Sequence, residues 1–151
     1  MQIWIDADAC PKPVKDIVFK AAMKRELKTI LVANQVIAHP KSPFIQMIKV
    51  GAGFDVADNY IVQHVQLQDI VVTADIPLAD LVVKKGAYAI EPRGRLLTQD
   101  TIAERVSTRN LMESLRSIGE VRGGPASFSA ADSQAFANGF DKLITQIMKS
   151  A

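Results

Sequence analysis

The chain opens Met1-Gln-Ile-Trp-Ile-Asp6-Ala-Asp8-Ala-Cys10-Pro11-Lys-Pro13, and the reading of this stretch decides the fold. Ile3, Trp4 and Ile5 are β-branched and aromatic, a run of the kind that makes a buried strand. It stops in two aspartates that flank Ala7. Pro11 and Pro13 then open an amphipathic segment, and proline is tolerated in the first turn of a helix because the N–H it lacks has no intrahelical partner there. A strand running into carboxylates just before a helix puts them at the C-terminal rim of a sheet, where open α/β sheets bind ligands. Like charges this close repel, so folding alone does not ask for both. A bound cation is the simplest compensation.

Outward from that stretch, strand and helix patterns alternate. Val14, Ile17, Val18, Ala21 and Ala22 recur at helical spacing between Lys15, Lys20, Lys24 and Arg25, which predicts a helix from Pro11 to Leu27. Thr29–Ala33 reads as a buried strand and Asn34–Pro43 as a loop carrying His39 and Lys41. Phe44–Val50 suits a strand or a helical turn, and Gly51-Ala-Gly53 breaks it. Val56, Ile61 and Val65 support a short helix over Asp55–Val65. Asp69–Ala74 is a strand running into Asp75, and Pro77 opens a helix with Leu78, Leu81 and Val82 facing inward. Gly86 ends that helix, Ala87–Ile90 returns as a strand, and Glu91-Pro-Arg-Gly-Arg95 turns. Strands and helices in this order predict an α/β fold: three layers, a mostly parallel sheet with right-handed crossovers and helices on both faces.

The last third has no strand candidate. Thr98–Ile118 reads as one or two helices, and Gly123-Gly124-Pro125 breaks the chain. Ser129 with Asp132 resembles a capping box ahead of a final helix marked by Phe136, Phe140, Leu143, Ile144 and Ile147. With 151 residues and no linker, the expectation is one domain over 1–151, a strand–helix core over about 1–95 and a helical part over about 98–151. The net charge of +2 neither requires nor excludes a polyanionic partner. A single cysteine excludes an internal disulfide, and no apolar run reaches membrane-spanning length, so a cytoplasmic protein is expected.

Asp6, Asp8 and Asp75 fall at or just beyond strand ends, and Asp58 and Asp80 lie on predicted helices that can approach them. A parallel sheet would place Asp6 and Asp75 on adjacent strands at one rim. Carboxylates converging there suit Mg²⁺ or Mn²⁺, with water and substrate phosphate completing the shell. The plainer reading is that Asp75 and Asp8 cap the helices opened by Pro77 and Pro11, and that Asp55 and Asp80 are solvated surface charges. Cys10, at a helix start, invites a nucleophile reading but has no evident base and reads as a small buried hydrophobe. His39 and His64 fit no zinc spacing. Arg93 and Arg95 could contact phosphate at the same rim, or be a solvated basic turn.

Together the opening Ile-Trp-Ile-Asp-Ala-Asp-Ala-Cys-Pro, Gly53-Phe-Asp-Val-Ala-Asp58-Asn, Asp69-Ile-Val-Val-Thr-Ala-Asp75-Ile-Pro-Leu-Ala79, the Pro92-Arg-Gly94 turn and Gly123-Gly-Pro125 resemble the bacterial YaiI/YqxD family over essentially the whole chain. More distantly the pattern is similar to the PIN and NYN ribonuclease group. In that group strand-end and helical acids hold Mg²⁺ or Mn²⁺ for RNA cleavage, and a Thr-x-Asp motif ends a later strand. The resemblance implies a PIN-like fold with additional C-terminal helices, and a metal-dependent nuclease acting on RNA. It implies Asp6, Asp8, Asp58 and Asp75 as catalytic acids, Asp80 as a further metal ligand, and Lys12, Thr73, Arg93 and Arg95 near substrate.

Two other readings stand beside it. The opening strand ending in Asp-x-Asp also resembles haloacid-dehalogenase-like phosphatases, which would make Asp6 a nucleophile, Asp8 a general acid and Lys49 the required lysine. The third reading is a non-catalytic module that binds RNA or a protein partner. A basic track from Lys12, Lys41, Arg93 and Arg95 would favour nucleic acid.

Overall fold

The computed structural model describes residues 1–53, 55–107 and 127–150. In chain order the elements are β1 (Ile3–Asp6), α1 (Lys12–Arg25), β2 (Thr29–Ala33), β3 (Ile45–Lys49), α2 (Val56–His64), β4 (Ile70–Val72), α3 (Ile76–Lys84), β5 (Tyr88–Ile90), β6 (Leu96–Leu97), a helix α4 over 99–107, and α5 (Ala130–Ser150). The six strands form one sheet in the order β3-β2-β1-β4-β5-β6. All neighbours are parallel except β5 and β6. The order reverses at β1, whose two neighbours are β2 and β4, and this reversal is the topological switch point where such sheets open a crevice.

Strand alternation assigns the two faces. Ile3 and Ile5 join a core with Val14, Val18 and Phe19 of α1 and Phe136, Phe140 and Ile144 of α5. Trp4 points the other way, into a core with Ile61 of α2, Leu78 and Val82 of α3, and Ile102 of α4. The fold is therefore three-layered, with α1 and α5 on one face and α2, α3 and α4 on the other. Every residue of β1 and β2 is buried, as expected of central parallel strands covered on both sides. Phe44–Val50 resolves as the edge strand β3. Gln46 and Lys49 are exposed on it, and a charged residue on an edge discourages pairing with a second chain.

One expected core residue faces out. Leu81 is 47% exposed, and Ala79 is buried in its place beside Leu78 and Val82. Consecutive helical residues lie about 100° apart, so the stripe through Leu78, Ala79 and Val82 leaves Leu81 past its edge. Of the predicted Thr98–Ile118 helical stretch, 99–107 is helical. The remainder, and the Gly123-Gly124-Pro125 break, lie outside the described residues. Among the described residues no helix is long and apolar enough to cross a membrane.

The last helix behaves as its sequence predicts. The Ser129 N–H donates to Asp132 Oδ2 at 2.9 Å and the Asp132 N–H to Ser129 Oγ at 3.3 Å, a reciprocal capping box. Phe136 and Phe140 stack 5.2 Å apart in the core. On its far side α5 meets the β5–β6 turn. A side-chain carbon at Gly139 would overlap the Gly94 carbonyl, and one at Gly94 would overlap the Ala135 backbone. Gly94 also has φ +95°, a conformation open to glycine at little cost. Gly139→Ala is expected to force turn and helix apart and to cost about 1–3 kcal/mol, as overpacking does. A thermal melt within 1 °C of wild type would contradict this contact.

Candidate functional site

Asp6, the last residue of β1, is on the Trp4 side of the sheet by alternation and is buried, with 8% of its surface exposed. Thr73 follows β4 on the same side, and its hydroxyl donates to Asp6 Oδ2 at 3.0 Å. The same Thr73 oxygen accepts the Asp75 N–H at 3.0 Å, so one buried threonine sets the position of both acids. Asp75 caps α3, its Oδ1 accepting the Leu78 N–H at 3.0 Å. The capping reading of Asp75 is thus correct, and it still leaves the residue facing its neighbours. Asp8 does not cap α1, whose cap carries no side-chain hydrogen bond. Its Oδ2 accepts the Asn34 N–H at 2.8 Å and ties the loop after β1 to the end of β2.

Asp58 enters from the first turn of α2 and lies beside Asp75. Burial raises the Asp58 carboxyl from the usual 3.8 to about 7, helped by the charges of Asp75, Asp6 and Asp55. Asp6 is also raised. Burial is the main cause, opposed by the Thr73 hydrogen bond and reinforced by the charges of Asp75 and Asp8. The four acids Asp6, Asp8, Asp58 and Asp75 therefore share one electrostatic site at the switch point. Asp58, raised to about 7, therefore keeps its proton in part near neutral pH.

A raised carboxyl makes the folded state bind more protons than the unfolded chain between the two pKa values. Stability of the metal-free protein should then fall as pH climbs from about 4 to about 7, and level off beyond it. Asp58→Asn removes the titrating group, so its melting temperature in EDTA should change less between about pH 5.5 and pH 8 than that of wild type. Equal pH dependence in the two proteins would contradict the raised Asp58 carboxyl.

Other expected site residues sit elsewhere. Asp80 is ion-paired with Lys84 one turn along α3 at 2.9 Å, and the charges acting on Asp6 and Asp58 do not include it. Position 80 is five residues past the cap, so it lies on the exposed flank of the helix. Asp55 precedes α2 in a left-handed conformation, φ +64°, and makes no side-chain cap. Lys12 pairs with Asp16 at 3.5 Å, Arg95 with Glu104 at 3.5 Å and Arg93 with Asp132 at 3.8 Å. Exposed pairs of this kind are worth little and can be exchanged for a phosphate. His39 lies on the exposed loop, and His64 stacks on Tyr60 with ring centres 4.1 Å apart. Cys10 is buried, and its thiol is pushed up to about 12 by that burial, which rules it out as a thiolate near neutral pH.

Two acids escaped the sequence reading as special. Asp69, 3% exposed, sits at the opposite rim and accepts hydrogen bonds from the Gln2 N–H, the Trp4 indole and the Gln66 N–H. Glu91, directly after β5, is buried and pairs with Arg105 of α4. Its position one residue past a strand end, like that of Asp6 at the end of β1, was the available signal.

Among the described residues no three His, Cys, Asp or Glu side chains are placed to ligate one ion together. The acids do not form an all-protein cage. Hard carboxylate oxygens that would supply one or two ligands per ion remain compatible with Mg²⁺, which keeps several waters and takes substrate phosphate into its shell. The N-termini of α1, α2 and α3 all open at this rim, and helix N-termini favour anions.

Fold and site together define a doubly wound α/β protein with aspartates gathered at its switch point. Within that class, the chain belongs to the YaiI/YqxD family, described as an uncharacterised bacterial family, whose profile matches residues 4–146. It is 62% identical to a UPF0178 protein of Maridesulfovibrio salexigens over 146 residues, 97% of each chain. It is 56% identical to one of Shewanella baltica over the same share, and 51% identical over the full length of both chains to one of Saccharophagus degradans. No solved structure matches the chain.

Proposed function

We propose that this protein is a divalent-metal-dependent phosphodiester hydrolase acting on RNA, with Asp6, Asp8, Asp58 and Asp75 as its acidic centre. The observation that carries this reading is the Thr73 hydroxyl, which holds buried Asp6 and the backbone of Asp75 together, with Asp58 beside them. Carboxyls gather there against their own repulsion, at the point where α/β sheets bind ligands. Acids gathered this way cost stability in the empty protein, and a bound cation would offset that cost. Bound Mg²⁺ or Mn²⁺ would supply a water of lowered pKa and charge stabilisation for in-line displacement at phosphorus.

The chain's own residues do the rest. Thr73 fixes Asp6 and the backbone of Asp75, so these two ligands approach the ion in a preset geometry. The three helix N-termini favour the phosphodiester at the rim, and Lys12, Arg93 and Arg95 can exchange surface partners for neighbouring phosphates. RNA is favoured over DNA by the likeness to PIN and NYN ribonucleases.

Millimolar Mn²⁺ binds only the folded site and should raise the melting temperature of wild type, and do much less for Asp6→Asn. Melting curves that coincide in Mn²⁺ and EDTA would remove the metal from the account. The functional test is cleavage of labelled single-stranded RNA with Mn²⁺ or Mg²⁺, measured beside binding in EDTA. Binding without cleavage across several substrates and both metals would favour the non-catalytic reading.

A further inference from the structure

Beside the carboxylates lies a cavity of about 510 Å³ that the acidic centre does not use. Ala9, Ala74 and Ile76 line it, and they are the chain neighbours of Asp8 and Asp75. Pro92 and Phe128 are also in its lining, as is the part-buried Glu91–Arg105 pair. Phe128 also packs against the α1/α5 core, which limits the ring's freedom. The Pro92–Arg93 wall belongs to the turn that Gly94 and Gly139 hold tightly against α5. This is a preformed pocket within the roughly 300–1,000 Å³ typical of small-molecule sites.

We infer that this cavity takes one unstacked nucleobase of a single-stranded RNA substrate, next to the phosphodiester at the carboxylates; the inference rests on the function proposed above. The Glu91 carboxylate lines the pocket and is paired with Arg105, which disfavours a phosphate on that side and leaves it polar. A flat, uncharged heterocycle with donors and acceptors on its edge meets that description. A phenyl ring and a proline give it apolar faces, and a paired carboxylate and guanidinium offer an acceptor and a donor to its edge.

The test uses the full chain and short single-stranded oligoribonucleotides carrying 2-aminopurine at each position in turn, in EDTA and in Ca²⁺. Stacking in the pocket quenches the fluorescence of one position selectively. Phe128→Ala should abolish that quench and weaken binding about five- to hundredfold, the usual worth of one base–aromatic stack. Ala9→Phe fills the cavity from an exposed lining position without removing a packed side chain, and should do the same. Quenching that survives both variants, or no position-selective quenching in either condition, overturns the inference. Cleavage is scored separately. RNA cut normally by both variants would sink the pocket and leave the hydrolase standing, whereas selective quenching without cleavage would do the reverse.

Discussion

Asp75→Asn is expected to abolish cleavage of single-stranded RNA while leaving the fold and most of the RNA affinity intact. Asparagine keeps the size and an acceptor oxygen, so the cap on the Leu78 N–H survives. Backbone bonding from the Asp75 N–H to Thr73 is also untouched. What is lost is one full ligand charge and the partner of Asp58. Outer-shell partners of metal ligands cost about 10–100-fold when removed, so a direct ligand should cost at least the upper end of that range. In EDTA the variant should be no less stable than wild type, because one charge of a repelling pair is gone. Residual cleavage within threefold of wild type would mean that Asp75 is a cap and nothing more.

Asp69→Ala should be the most damaging single change to stability. Asp69 accepts from two backbone N–H groups and the Trp4 indole, at 2.9, 2.9 and 3.1 Å, at the rim opposite the acidic centre. Alanine leaves the buried Trp4 indole and two part-buried backbone N–H groups without that acceptor. The expected cost is about 3–5 kcal/mol, which for a chain of this size lowers Tm by roughly 10 °C or more. Metal response should be unchanged in the surviving folded protein, because the site is at the other end of the strands. A melt within 2 °C of wild type would mean that these donors find other partners.

These two aspartates show where sequence reading reaches and where it stops. The hydrophobic run Ile3–Ile5 and the order of strands and helices were enough to put Asp6 and Asp75 at one rim, because parallel strands joined by helices leave little choice of topology. The α5 core was legible for the same reason, since Phe136, Phe140 and Leu143 repeat at helical spacing. Asp69 was not legible as structural, because its donors come from positions 2, 4 and 66 and only the folded sheet brings them together. Likewise Asp58 meets Asp75 across two helices, and Glu91 meets Arg105 across the turn and α4. Leu81 was assigned inward by residue type, and it sits just past the edge of the face that its helix turns inward.

The most direct test of the central claim is anomalous scattering from crystals grown with Mn²⁺. The account predicts a manganese site at the end of β1, bonded by carboxylate oxygens of Asp6 and Asp75. Crystals saturated with Mn²⁺ that show no ion at these residues would contradict it.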